Sequence, residues 1–205
     1  MSDARRFASG IFAIGLALIV AFVLFTFGTD TAATAAEDTA GPNLVIEIGG
    51  QTEGQVVIDL LADVAPNHDE RLATLAEAGN YDGVVFHRVI DGFMAQTGDV
   101  QFGKTGGDTS RAGTGGSELP DLQAEFSDVP FERGVVGMAR SANPHSGNSQ
   151  FFIMFAPARH LNGDYTVVGR VIEGMDVVDS IKKGSAAANG AVEGPDHIVS
   201  MRVEP

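Results

Sequence analysis

Arg88 stands in the segment Phe86–Asp99, FHRVIDGFMAQTGD, among apolar side chains, with Gln96 further along and no carboxylate next to it. A guanidinium stays protonated at any working pH, offers five N–H donors and cannot act as a base. With no neighbouring anion to neutralise it, Arg88 is a donor awaiting an acceptor. The chemistry open to it is stabilisation of a lone pair or charge that develops during a reaction. Two later segments, GVVGMARSANPHSGNSQFFIMF (134–155) and HLNGDYTVVGRV (160–171), add Gln150, the pair Phe151 and Phe152, and Leu161 with Tyr165. Taken singly, Phe93, Met94, Phe152 and Leu161 are the apolar residues any core needs, and Arg88 is a surface ion-pair partner. Only their combination points to a site.

Other chemistries lack their residues. The chain has no cysteine, which excludes thiolate catalysis and disulfides. His68, His87, His145, His160 and His197 show no metal-ligand spacing. Adjacent His145 and Ser146 raise a hydrolase as a third reading, but a nucleophilic serine needs an oriented base and an oxyanion hole, and nothing marks either. Gly103, Gly106, Gly107, Gly113, Gly115 and Gly116 read as a flexible loop without the lysine pattern of a phosphate cradle. The formal net charge of −14 repels phosphate backbones, so no nucleic-acid partner is expected.

Positioning these residues needs a scaffold, and from Leu44 onward its pattern is β. LVIEI, the turn GGQTEG and QVVIDL form a hairpin. Further strands are expected at 84–90, 134–139, 151–155, 166–172 and 197–203. In the last, Val199, Met201 and Val203 are expected on one buried face. Two stretches have helical spacing instead. One opens at Pro66, carries Asp69 and Glu70 in its first turn and Leu72, Leu75 and Ala76 on one face, and stops at Gly79. The other runs from Met175 to Lys183 and buries Met175, Val178 and Ile181. Many short strands with two helices in one domain fit a barrel or a sandwich.

Ahead of this domain, Arg5 and Arg6 precede an uncharged apolar run, Phe7–Phe27. As a helix the run reaches roughly 30 Å, the thickness of a bilayer core. The arginines hold its start in the cytoplasm and send the rest across. The expected organisation is a membrane-spanning signal anchor or signal peptide over 1–27, a flexible linker over 28–42, and one folded domain over 43–205. Ala33-Thr34-Ala35 suits a signal peptidase. A soluble periplasmic form after cleavage is therefore the alternative to an inner-membrane anchor with the domain on the periplasmic side.

The three blocks together resemble the cyclophilin family of peptidyl-prolyl cis/trans isomerases, from about Asn43 to Pro205. The resemblance implies a mainly β fold, a closed eight-stranded antiparallel barrel capped by two α-helices. It also implies a monomeric enzyme that needs no cofactor or metal, accelerates rotation about X-Pro bonds in unfolded or flexible polypeptides, and assists folding of exported or envelope proteins. Arg88, Phe93 and Gln96 match the family's catalytic positions; Met94, Ala139, Arg140, Gln150, Phe152, His160, Leu161 and Tyr165 match substrate-binding ones. Phe93, Met94, Phe152 and Leu161 would form the apolar pocket, Gln96 and Gln150 would orient Arg88 and the substrate, and Ala139 and Arg140 would meet the residue before proline. The alternative is a non-catalytic chaperone or scaffold that holds proline-containing peptides in the same groove. His160 stands where many members carry tryptophan, Tyr165 where they carry histidine, Arg140 for asparagine and Thr97 for glycine. These departures resemble the bacterial branch, and loss of the indole implies weak cyclosporin binding.

Overall fold

The computed structural model describes residues 38, 39 and 41–205. The membrane-spanning or signal segment expected over 1–27, and most of the linker after it, lie outside the described residues. Among the described residues no helix is long and apolar enough to cross a membrane.

Eight strands form one antiparallel sheet: β1 (Asn43–Gly49), β2 (Gly54–Leu60), β3 (Arg88–Ile90), β4 (Met94–Thr97), β5 (Val135–Met138), β6 (Phe151–Met154), β7 (Val167–Glu173) and β8 (His197–Glu204). Their spatial order is β3-β4-β6-β5-β7-β2-β1-β8. The expected closed barrel is corrected here: the sheet is curled but open, with β3 and β8 as its ends. The stretch expected as one strand over 84–90 splits in two, and only Arg88–Ile90 pairs with β4. Residues 83–86 turn instead to β8, through Gly83 N to Ile198 O (2.7 Å), Ile198 N to Val84 O (2.8 Å) and Phe86 N to Asp196 O (2.9 Å). Val85 N is meanwhile drawn to Gly103 O. This short bridge spans the gap without continuing the ladder.

Two helices pack against the sheet, α1 (Pro66–Glu77) and α2 (Met175–Ser180). In α1, Leu72, Leu75 and Ala76 are buried as the spacing predicts. α2 is shorter than expected; it ends at Ser180, with Ile181 extended but still buried, so Lys182 and Lys183 lie outside the helix. β8 also departs from simple alternation. Ile198 and Met201 are buried and Val199 is 52% exposed. The cause is a bulge: Glu47 pairs with Ser200 but Ile48 pairs with Ile198, so Val199 has no opposite residue and is turned out.

The sheet separates two apolar cores, which explains why 151–155 reads as an unbroken apolar run. Phe151 and Ile153 join the helices' Leu72 and Val178 in the larger core. Phe152 and Met154 face the other way, into a smaller core with Met94, Phe131, Leu161 and Val167. That second core underlies the groove described next.

Candidate active site

Side chains from β3, β4, β6 and the 159–165 turn converge over the smaller core. Arg88 and Gln96 are opposite each other on the β3–β4 hairpin, and Gln96 is opposite Phe152 on β6. Gly137 faces Phe152 from β5, and a Cβ there would come within 2.5 Å of the ring, so the glycine leaves room for it. Phe131 stacks behind Phe152 at 5.7 Å between centroids. Tyr165 meets the same ring edge-on at 5.8 Å.

The result is a cavity of about 330 Å³ lined by Arg88, Phe93, Met94, Gln96, Ala139, Arg140, Phe152, His160, Leu161 and Tyr165. Ten of the eleven residues named from the sequence therefore come together. Met94, Phe152 and Leu161 are buried and form the floor. Phe93 and exposed His160 stack at 5.7 Å as one wall. On the opposite rim Arg140 lies over the Tyr165 ring at 4.2 Å and donates to Asp164 O. The eleventh residue, Gln150, lines a neighbouring polar cavity of about 530 Å³ that shares Gln96, Ala139 and Arg140 with the first.

Arg88 is the only guanidinium in the apolar cavity besides Arg140, and its hydrogen bonds fix its aim. Nη1 donates to Gln96 Oε1 at 3.2 Å, Nε to Asn189 O at 3.1 Å and Nη2 to Asn189 Oδ1 at 3.2 Å. Three of five N–H groups are thus held by oxygen. The second Nη1 proton is donated to the weak acceptor Met94 Sδ at 3.9 Å, and one Nη2 proton remains. Burial lowers the Arg88 pKa from its ordinary value, with the Tyr165 hydroxyl acting the other way.

Gln96 is held in turn. Its Nε2 donates to Gln150 Oε1 at 3.0 Å, and Gln150 Nε2 donates to Gly115 O at 2.8 Å. Behind Gly115 is Asp99, fully buried, which accepts from the backbone N–H of Gln101 (3.1 Å), Phe102 (2.9 Å), Gly113 (2.8 Å) and Gly115 (2.9 Å). A Cβ on Gly115 would fall 2.7 Å from Asp99 Oδ1. The glycine-rich segment expected as a flexible loop is therefore pinned at 113–115 to a carboxylate. Asp99 and Asn189 are the site-supporting residues that sequence reasoning missed; Asp99 ends the very block that carries Arg88, while Asn189 is far away in the chain.

His87 packs its ring against Gly113 with neither nitrogen hydrogen-bonded. Burial lowers its pKa, against the pull of Asp99 and of Val85 O, with Arg88 lowering it further. Burial therefore favours the neutral imidazole there. His145 and Ser146 do not form a nucleophilic pair. His145 Nδ1 accepts from Ala124 N at 3.1 Å and Ser146 Oγ donates to Asn143 O at 2.7 Å. Among the described residues no cluster of His, Asp or Glu has the arrangement of a metal site.

Comparison with known proteins bears on this geometry. Residues 44–203 match the family model described as "Cyclophilin type peptidyl-prolyl cis-trans isomerase/CLD". A "Probable peptidyl-prolyl cis-trans isomerase" of Brucella suis is 54% identical over 186 residues, which span 90% of this chain and 92% of the relative. A peptidyl-prolyl cis-trans isomerase of Arabidopsis thaliana is 35% identical over 86% of this chain and 82% of its own. The crystal structure of a cyclophilin from Hirschia baltica superposes with a TM-score of 0.64 at 28% identity, covering 78% of this chain and 72% of that one.

Proposed function

The chain belongs to the cyclophilin-type peptidyl-prolyl cis-trans isomerases, and from that premise we propose that Arg88 is its catalytic donor and exported, unfolded X-Pro segments are its substrates. The observation that carries the first half is a guanidinium lining the cavity, held by oxygen at only three of its five N–H groups, with one Nη2 proton uncommitted and one Nη1 proton on the weak acceptor Met94 Sδ.

Amide resonance sets a rotation barrier of ~18–20 kcal/mol. At X-Pro the uncatalysed exchange takes tens to hundreds of seconds. In the twisted transition state the prolyl nitrogen loses conjugation and gains a localised lone pair, which the planar ground state lacks. A donor aimed at that nitrogen stabilises the transition state selectively. Arg88 has one free Nη2 proton for the purpose and one on Nη1 that Met94 Sδ, a weak acceptor, yields to a better one. An acceleration of about five decades needs roughly 7 kcal/mol. One charged hydrogen bond contributes about 1.5–3 kcal/mol. The remainder falls to the surroundings. Phe93, Met94, Phe152 and Leu161 grip the proline ring away from water, while Ala139, Arg140, Gln150 and the polar cavity hold the flanking backbone so that one end turns against the other.

The second half rests on sequence. The apolar run at Phe7–Phe27 behind Arg5 and Arg6 supports export, with the domain on the periplasmic side of an inner-membrane anchor. Folding assistance to envelope proteins follows from that location, and the enzyme acts as a monomer. N-terminal sequencing of the mature protein separates the anchor from a cleaved signal: an intact start retains the anchor, and a start just after Ala35 replaces it with a soluble form. The catalytic assignment is tested by prolyl isomerisation of a short peptide with one X-Pro bond, wild type beside Arg88→Ala. Catalysis that collapses in the variant supports it, and a variant as fast as wild type sinks it.

A further inference from the structure

Asn189 is the one non-glycine residue among those described with a positive φ, at φ 53° and ψ 36°. It ends a 3-10 turn, Ala186–Ala188, in the left-handed region where glycine is cheapest and asparagine next. Gly190 follows directly. An exposed asparagine in such a turn has an ordinary explanation, since its short side chain tolerates the conformation. That explanation leaves the direction of the side chain unaccounted for. Both acceptors of Asn189, its backbone O and its Oδ1, receive N–H groups from one edge of Arg88, 101 residues away.

The turn is also carried by the strand it serves. Val89 N donates to Gly190 O at 2.8 Å, Gly184 N donates to Val89 O at 2.8 Å, and Val192 N donates to His87 O at 3.2 Å. Asn189 is therefore tied to the backbone on both sides of Arg88 and moves with it. Gln96 grips the opposite side of the guanidinium from β4. Two holders on opposite edges define the plane of the guanidinium, where either one alone would leave it free to pivot.

We propose that Asn189 is a positioning residue for prolyl isomerisation: it accepts Nε–H and one Nη2–H of Arg88 and so leaves the second Nη2–H, beside the Nη1–H held only by Met94 Sδ, directed at the twisting amide. The proposal rests on the reading of Arg88 as the catalytic donor. A misdirected donor next to a reacting centre loses rate without losing substrate, so the effect belongs in kcat more than in KM.

The test compares the full-length protein with Asn189→Gly, Asn189→Asp, Arg88→Ala and the Arg88→Ala/Asn189→Gly double variant. Glycine keeps the left-handed turn without strain and removes only the side-chain acceptor. We expect Asn189→Gly to lower kcat about tenfold, to leave KM and melting temperature near wild type, and to speed rotation of the Arg88 Nη groups seen by nitrogen-15 NMR. Asn189→Asp keeps an acceptor at Oδ1 and retains slow Nη rotation and most of the activity. In the Arg88→Ala background Asn189→Gly should cost nothing further, because it acts through the missing guanidinium. Full activity and slow rotation in Asn189→Gly, beside a collapsed Arg88→Ala, overturn the proposal and leave the catalytic assignment intact. An active Arg88→Ala removes both. An equal loss from Asn189→Gly in both backgrounds also overturns it, since the role would then be structural.

Discussion

Asp99 and Asp69 are both buried carboxylates, and the chain treats them oppositely. Asp99, behind the groove, accepts four backbone N–H groups. Asp69, on the inner side of α1, has neither oxygen hydrogen-bonded. The cause at α1 is a substitution of roles. Glu125, from a distant loop, accepts from Asn67 N, His68 N and the Asn67 side chain, and lies 2.6 Å from His68 Nδ1. It takes the free amides that a first-turn acid would otherwise serve. Burial first, then the charges of Glu125 and Asp59, push the Asp69 pKa up to about 8. The contrast teaches where full pairing is indispensable. The polar groups that run from Asp99 through Gly115, Gln150 and Gln96 to Arg88 have partners at every step; the acid that aims nothing goes without.

The strongest way to break this contrast is to remove the satisfied acid. Asp99→Ala strands four part-buried N–H groups and should cost about 3–5 kcal/mol in urea unfolding. A loss below about 1 kcal/mol would mean that water replaces the carboxylate and that the pairing matters little. At the far end of the chain, Arg88→Ala should lower kcat/KM on the order of a hundred- to a thousandfold while leaving the melting curve close to wild type. If it destabilised the fold as much as Asp99→Ala does, the network would be structural throughout.

Asp69→Asn tests the unsatisfied side. The unfolded carboxyl ionises from its ordinary value of 3.8 and the folded one only near 8. Between those values the unfolded chain binds fewer protons, so wild-type stability declines as pH rises through the window. The amide removes that decline. We expect Asp69→Asn to gain about 1–3 kcal/mol at pH 8, to gain little near pH 3.5, and to leave kcat/KM unchanged. A variant less stable than wild type at pH 8 would show that Asp69 has a partner of its own. The smallest effect is at the rim: Arg140→Ala loses a cation–π contact with Tyr165 of about 0.5–1 kcal/mol and should raise KM roughly two- to fivefold. An unchanged KM would leave that rim idle in substrate binding.

Much of this is legible in the sequence. Both helices announce themselves by Pro66, Gly79 and the spacing of Leu72, Leu75 and Val178, although the second stops at Ser180, short of Ile181 and the expected Lys183. The Arg88 block, Gln150, Phe152, Leu161 and Tyr165 stood out by type and order. What failed had physical reasons. β4, Met94–Thr97, is short and holds Ala95 and Gln96, too little apolar pattern for a strand to show. The bulge at Val199 and the split after Phe86 depend on partners remote in sequence. Asp99 carries no signal of its role in the sequence, because the backbone N–H groups it accepts from leave no trace in side-chain types. Asn189 was hidden for the same reason, since nothing local says that an asparagine meets an arginine 101 residues earlier.

β1 is flanked on one side by β2, its immediate successor, and on the other by β8, with Asn43 paired to Glu204. Among the described residues the first strand made is thus the neighbour of the last. During synthesis β1 must wait, one edge bare, until almost the whole domain has emerged, and its apolar LVIEI edge is open to other chains for all that time. Shielding of nascent strands matters most for this protein at its own birth: a prolyl isomerase is itself late to fold.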